Sequence, residues 1–208
     1  LDVSADALKF RDTRRTFVGG VPVILNRLSF SGELGFEIYC RPQFLLLLSE
    51  AIEEAGDDLD YRWYGARTLM SLRLEKGWGA WGLEFRPDFN AVESGMDVFI
   101  NWNKDFVGKE ATARFRDEGV DRKLVTLTVD TPMDVTLDEA VLVNDAAVGY
   151  ITSGGYAHHV GKSMAMAYVA SEHAAAGTMV NVEIMGEMYP AEVQGAPLYD
   201  PNGGRMRS

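Results

Sequence analysis

Cysteine is almost absent: Cys40 stands alone in 208 residues, which excludes an internal disulfide and a thiolate cluster for zinc. Such usage fits a reducing compartment, so the expected home is cytoplasmic, or the mitochondrial matrix in a eukaryote. Histidine is nearly as scarce. His158, His159 and His173 form no H-x-x-x-H or H-E-x-x-H pair, and on a strand the adjacent His158 and His159 would face opposite ways, so no metal held by the protein is expected. Basic residues number 20 against 31 acidic ones, for a formal net charge of -11. A surface of that sign repels a phosphate backbone, and no Lys/Arg-rich run offers an exception, which argues against nucleic acid as a partner. Long apolar runs are missing too: the densest, residues 44–48 and 164–170, fall far short of a membrane span. A secretory leader pattern is lacking at Leu1. Residues 1–10 read instead as mid-protein sequence, so a missing N-terminal part of a longer protein is expected upstream.

What is present is an ordinary globular mixture, 47% hydrophobic and 25% charged, enough to build a core. Ser4 is placed to cap a short helix over residues 5–10. Arg15-Thr-Phe-Val18, Gly19-Gly20 and the apolar alternation of residues 21–25 spell a two-residue β-hairpin, its second strand running on to Phe30. Ser31-Gly-Glu-Leu-Gly35 breaks the pattern before alternation resumes over residues 36–40, which puts Glu33 at a corner. Pro42 suits a first helical turn, and Phe44, Leu48 and Ile52 recur every four residues until Gly56. A second helix is expected from Gly65 to about Leu74, with Ala66, Leu69, Met70 and Arg73 along one face and Arg67 off it. An irregular Gly/Trp segment, residues 76–82, follows, then a strand near 98–102 and a helix near 109–118.

From Lys123 the pattern changes. Val125, Leu127 and Val129 alternate with threonines, further short strands fall near 140–143, 148–152 and 163–169, and residues 180–194 read as a hairpin about Met185-Gly-Glu187. This part resembles a small barrel or sandwich, with a boundary near residues 116–123.

Gly77, Gly79 and Gly82 satisfy G-x-G-x-x-G, the pattern that brings backbone against a pyrophosphate. Here it follows a helix instead of a strand, lies in no βαβ unit, and carries Trp78 and Trp81 where bulk obstructs approach, so nucleotide binding is not expected. For the tryptophans two readings stay open: packing against glycine backbone, or an indole face left to stack on a flat ligand ring. Glu33 also has two. A carboxylate in a turn is ordinarily solvated, but it can also take two parallel N–H bonds from a guanidine-like edge, which the amino-pyrimidine side of a pterin offers. Arg67 either joins a surface ion pair or binds an acceptor such as a pterin carbonyl or a carboxylate. No Ser/His/Asp arrangement, P-loop or zinc centre is seen.

Taken together, Ser29-Phe-Ser-Gly-Glu-Leu-Gly-Phe-Glu-Ile38 and Ala66-Arg-Thr-Leu-Met-Ser-Leu-Arg-Leu-Glu-Lys76 resemble the glycine-cleavage T-protein (aminomethyltransferase) family. Ala80-Trp-Gly-Leu-Glu84, Asp105-Phe-Val-Gly-Lys109, Thr152-Ser-Gly-Gly-Tyr156, Gly161-Lys-Ser163 and Tyr199-Asp-Pro201 follow in the family's order, so the likeness covers nearly the whole chain. Within the family, residues 75–84 are most similar to the folate half of dimethylglycine and sarcosine dehydrogenases, in which a separate FAD domain oxidises the amine. The resemblance implies an α+β fold, a ferredoxin-like antiparallel sheet with helices over residues 1–118, followed by a small C-terminal β-barrel over 119–208. It implies tetrahydrofolate as the cofactor, Glu33 holding the pterin, Arg67 at a folate-contact position and Trp81 near the ring, with Trp78 and Arg73 structural. The family's catalytic aspartate belongs to sequence upstream of Leu1, so the catalytic residue is unknown here. The function so implied is transfer of a one-carbon unit from a small amine or iminium to tetrahydrofolate. Rival readings are a non-catalytic folate-binding or docking module and a sulfonium demethylase on the same scaffold.

Overall fold

In the computed structural model, which describes residues 1–208, the chain forms β1 (Thr13–Val18), β2 (Val21–Asn26), β3 (Glu37–Tyr39), α1 (Leu45–Gly56), α2 (Ala66–Glu75), α3 (Lys109–Glu118), β4 (Arg122–Val129), β5 (Ala140–Val143), β6 (Ala146–Ala157), β7 (Lys162–Ala170), β8 (Met179–Ile184), β9 (Glu187–Gln194) and one terminal turn, α4 (Gly204–Arg207). The class is α+β. Two compact units are formed, Leu1–Leu72 with Asp200–Ser208, and Arg73–Tyr199, so the division falls inside α2. No helix is long and apolar enough to cross a membrane.

The first unit is built on an antiparallel sheet in the order β1-β2-β3. Its hairpin has Val18 facing Val21, and Gly19 and Gly20 take φ of +55° and +80°, the pair of left-handed residues that a type I′ turn demands. The period-2 pattern of β2 turns Val21, Val23 and Leu25 inward, where they pack with Leu8 and with Leu48 of α1. Burying each such side chain is worth about 1.5–3 kcal/mol. Pro42 opens a short 3-10 turn leading into α1, and Phe44 and Ile52 line the same apolar stripe as Leu48.

Two expectations in this unit need correction. The helix over residues 5–10 is one turn only, closed by the amides of Ala7 and Leu8 on the Ser4 carbonyl. The chain then pairs with Arg27 instead: the Arg11 amide donates to the Arg27 carbonyl at 2.8 Å and the Arg27 amide to the Asp12 carbonyl at 3.0 Å. That tertiary pairing outweighs local helix propensity. After Asn26 the chain leaves the sheet, so β2 stops four residues short of Phe30.

The second unit is dominated by a closed barrel, β4-β7-β6-β5-β8-β9, in which β9 pairs back onto β4 and leaves no open edge. Val125, Leu127, Val141, Ile151, Ala165, Ala167, Val169, Val182 and Val193 fill its interior. Helix α3 matches the expected residues, but the strand near 98–102 is replaced by a 3-10 turn, Asp97–Phe99. Val98 and Phe99 lie exposed there, and the Phe99 and Ile100 amides bond locally to Met96 and Asp97 carbonyls. Alternation alone did not make a strand without a partner ladder.

Candidate functional site

The bend between β2 and β3 is shaped by its own serines and glycines. The Gly32 amide donates to Ser29 Oγ at 3.0 Å and the Glu33 amide to Ser31 Oγ at 3.3 Å. Gly35 approaches the Leu28 carbonyl so closely that a Cβ there would sit 2.7 Å from that oxygen. The result presents Glu33 with its side chain 34% exposed. The group brought to it is Arg205 of α4, whose Nη1 donates to Glu33 Oε2 at 3.3 Å across 172 residues of chain. Asp200 fixes the approach of that arginine: its carboxylate accepts the amides of Gly204 at 3.0 Å and Arg205 at 3.2 Å. Arg27, fully buried, donates to the Leu8 carbonyl at 2.8 Å and also to the carbonyl of Ser208, tying the last residues to the same unit. Sequence reasoning noticed Tyr199-Asp-Pro201 but gave Arg205 no role. The available signal was an aspartate four and five residues ahead of the amides it caps.

Arg67 lies in the exposed first turn of α2, in the same unit as Glu33. Trp81 belongs to the second unit, where the Gly/Trp segment is a loop fastened from beneath. Helix α2 ends in a Schellman motif: the Trp78 amide bonds the Arg73 carbonyl at 3.0 Å, the Gly77 amide bonds Leu74 at 2.9 Å, and Gly77 takes the left-handed φ of +66°. A Cβ on Gly79 would meet the Phe85 ring at 2.5 Å, so this glycine is needed for close packing. Two of the motif's glycines therefore serve the loop's own geometry.

The fastening is a buried charge cluster. Glu84, fully buried, accepts the Ala80 amide at 2.7 Å and Arg73 Nη1 at 3.2 Å on Oε2, while Thr152 and Ser153 hydroxyls donate to Oε1 at 2.7 and 2.5 Å. Neighbouring residues of a regular strand point to opposite faces, yet both of these reach one carboxylate. A register shift between Ile151 and Ser153 in the β6–β7 pairing makes this possible, since the bulge turns the extra residue to the same side. Burial pulls the Arg73 guanidinium down from the ordinary arginine value and the facing Glu84 charge opposes that fall. With Glu84 held below, the loop raises Trp81 to its apex, where the indole is 90% exposed.

A second buried carboxylate, Glu75, accepts the His159 amide at 2.7 Å and meets His159 Nδ1 at 2.8 Å. His158 and His159 sit in the turn after β6, not on a strand, and still part: His158 lies edge-on to Tyr156. A cleft of about 550 Å³ on the barrel, beside Thr128, Tyr156 and Lys162, and one of about 790 Å³ beside Phe17, Ile24 and Tyr39 on the sheet, are lined by none of Glu33, Arg67 and Trp81.

Residues 1–104 match the family model described as the GCVT N-terminal domain, and residues 122–200 match the glycine cleavage T-protein C-terminal barrel domain. The chain belongs to the glycine cleavage T-protein family. Among relatives of this T-protein-family chain, mitochondrial dimethylglycine dehydrogenase of Homo sapiens is 38% identical over 211 residues, covering 99% of the chain and 24% of that protein. An aminomethyltransferase of Symbiobacterium thermophilum is 34% identical, over 91% of the chain and 52% of its own length. The chain thus spans about a quarter of the dehydrogenase and about half of the aminomethyltransferase. The crystal structure of glycine cleavage system aminomethyltransferase T from Bartonella henselae superposes with a TM-score of 0.85, covering 95% of this chain and 55% of that one; at 24% identity this likeness speaks for the fold.

Proposed function

We propose that this chain is the tetrahydrofolate-binding part of an aminomethyltransferase-like enzyme that moves a one-carbon unit from a small amine or iminium to tetrahydrofolate, giving 5,10-methylenetetrahydrofolate. One observation carries the reading: a carboxylate at a strand-to-strand bend, Glu33, is one-third exposed and already accepts a guanidinium N–H. The 2-amino-pyrimidinone edge of a pterin offers the same pattern of donors, so the residues present fit the group. Tetrahydrofolate supplies the nucleophilic N5 that accepts the carbon. Glu33 orients the ring, and orientation of a reacting atom is itself a large share of rate enhancement in such transfers. Trp81, whose indole is exposed, enters this reading by resemblance, as an aromatic side chain of the kind that stacks on a flat ring. Arg67 enters this reading by resemblance alone. No residue of this chain is proposed as the proton-transferring group.

That the chain covers about a quarter of the dehydrogenase relatives supports a longer parent; by resemblance, FAD in a further N-terminal part of that parent oxidises a methylated amine before transfer. In that parent residues 1–118 are the later part of the folate-binding domain and 119–208 its C-terminal barrel. The cytoplasm, or the mitochondrial matrix, is the proposed location. Glu33→Gln keeps the side chain's shape and removes its charge. It is expected to weaken tetrahydrofolate binding by about 1.5–3 kcal/mol, the worth of hydrogen bonds to a charged group, without lowering thermal stability.

A further inference from the structure

Arg205 stands 3.3 Å from Oε2 of Glu33, and its position is built. Asp200 holds its amide, Ser208 Oγ donates to its carbonyl at 2.8 Å, and the adjacent Met206 is buried. The pair places a guanidinium, itself a multiple N–H donor, within hydrogen-bond distance of one of the two acceptor oxygens of Glu33. From this we infer that Arg205 is a specificity-determining residue of the pterin site, the donor that reads the carbonyl oxygen at ring position 4. The inference rests on the proposal that Glu33 grips the pterin.

The chemistry is one of complementary edges. A 2-amino-4-oxo pteridine offers, in order, an amino N–H, a ring N–H and a carbonyl oxygen. The two donors meet the carboxylate, as any guanidine-like edge would. The third group is an acceptor and needs a donor next to the carboxylate, which is where the Arg205 guanidinium lies. A 2,4-diamino ring places an amino group at that point, so donor faces donor and a charged N–H loses its partner. The 4-amino ring also carries no proton on N3, so Glu33 loses one of its two donors there, and Arg205 adds a second, separate contribution to the preference. Such discrimination follows from leaving a polar group of the site unpaired.

The test titrates the full natural chain with tetrahydrofolate and with its 4-amino analogue, tetrahydroaminopterin, by calorimetry. The parent chain should bind the 4-oxo ligand more tightly. Arg205→Ala should weaken that ligand about tenfold, the loss of one charge-assisted hydrogen bond, and narrow the ratio of the two affinities while leaving the share that Glu33 contributes. Arg205→Lys, which keeps a cationic donor, should restore part of the preference. Glu33→Gln should weaken both ligands. If Glu33→Gln weakens both while Arg205→Ala leaves affinity and preference unchanged, or tightens the 4-oxo ligand, the role of Arg205 is overturned and the carboxylate reading survives. Failure of the parent chain to bind, or unchanged binding in Glu33→Gln, overturns the carboxylate reading and this inference with it.

Discussion

Glu84 carries a carboxylate into a site with no solvent exposure, and its neighbours are arranged to make that tolerable: an arginine, a backbone amide and two hydroxyls. Removing one charge from such a pair leaves the other buried without a counter-ion, which costs about 3–5 kcal/mol. Glu84→Gln preserves the volume and leaves the Arg73 charge unbalanced, so urea unfolding should report a loss in that range; a loss near that of a surface ion pair, below about 1 kcal/mol, would contradict the cluster's role. Tyr168 is a second residue whose environment sets a measurable behaviour. It is 1% exposed, stacks on Phe89 with centroids 3.7 Å apart and donates its hydroxyl to the Glu84 carbonyl. Burial is the main cause that raises its phenol above the ordinary value of 10.0, and the Glu93 and Glu84 charges add to it. A group whose folded-state pKa is raised contributes stability that is fully present below its unfolded pKa and is lost as pH rises through the folded value. Stability should therefore fall as pH climbs above about 10, and Tyr168→Phe should flatten that fall in urea titrations between about pH 9 and pH 12. Identical alkaline slopes in the two proteins would refute it.

At the scale of elements, the hairpin of β1 and β2 separates two effects that glycine substitutions usually confound. Gly19 and Gly20 both hold positive φ, so an alanine at either pays the left-handed strain, about 1–2 kcal/mol. At Gly19 a Cβ would stand 2.3 Å from the Cβ of Ala51 in α1, whereas at Gly20 nothing lies within 4 Å. Overpacking adds about 1–3 kcal/mol, so Gly19→Ala should destabilise by that much more than Gly20→Ala in denaturant unfolding. Equal losses would mean that α1 yields freely at this contact. The bulge in β6 is the other element whose geometry matters, because it lets Thr152 and Ser153 serve one carboxylate and so fixes the loop that carries Trp81.

Across the whole molecule, the features legible in the sequence are those written in local pattern. The Gly19-Gly20 hairpin, α1 with its i, i+4 stripe, α2, α3 and the short alternating strands of the barrel all follow from neighbours within a dozen residues. What stayed hidden depends on long-range pairing. Arg73 sits on the apolar stripe of α2, and nothing local says that its charge meets Glu84; Arg205 is 172 residues from Glu33. The bulge at Thr152 breaks the period by a single residue, and the turn at 97–99 keeps a strand's alternation while no strand lies beside it. The corner holding Glu33 was visible as a run of turn residues, but its arginine partner was not. The division of the chain into two units, cut inside α2, is likewise a property of the assembled fold. The central claim, that the carboxylate at this corner takes up the pterin edge of tetrahydrofolate, is tested most directly by calorimetric titration of the full chain and of its Glu33→Gln variant at neutral pH. The account predicts saturable binding to the parent chain and at least tenfold weaker binding to the variant, with the melting temperature unmoved; equal affinity in the two proteins would contradict it.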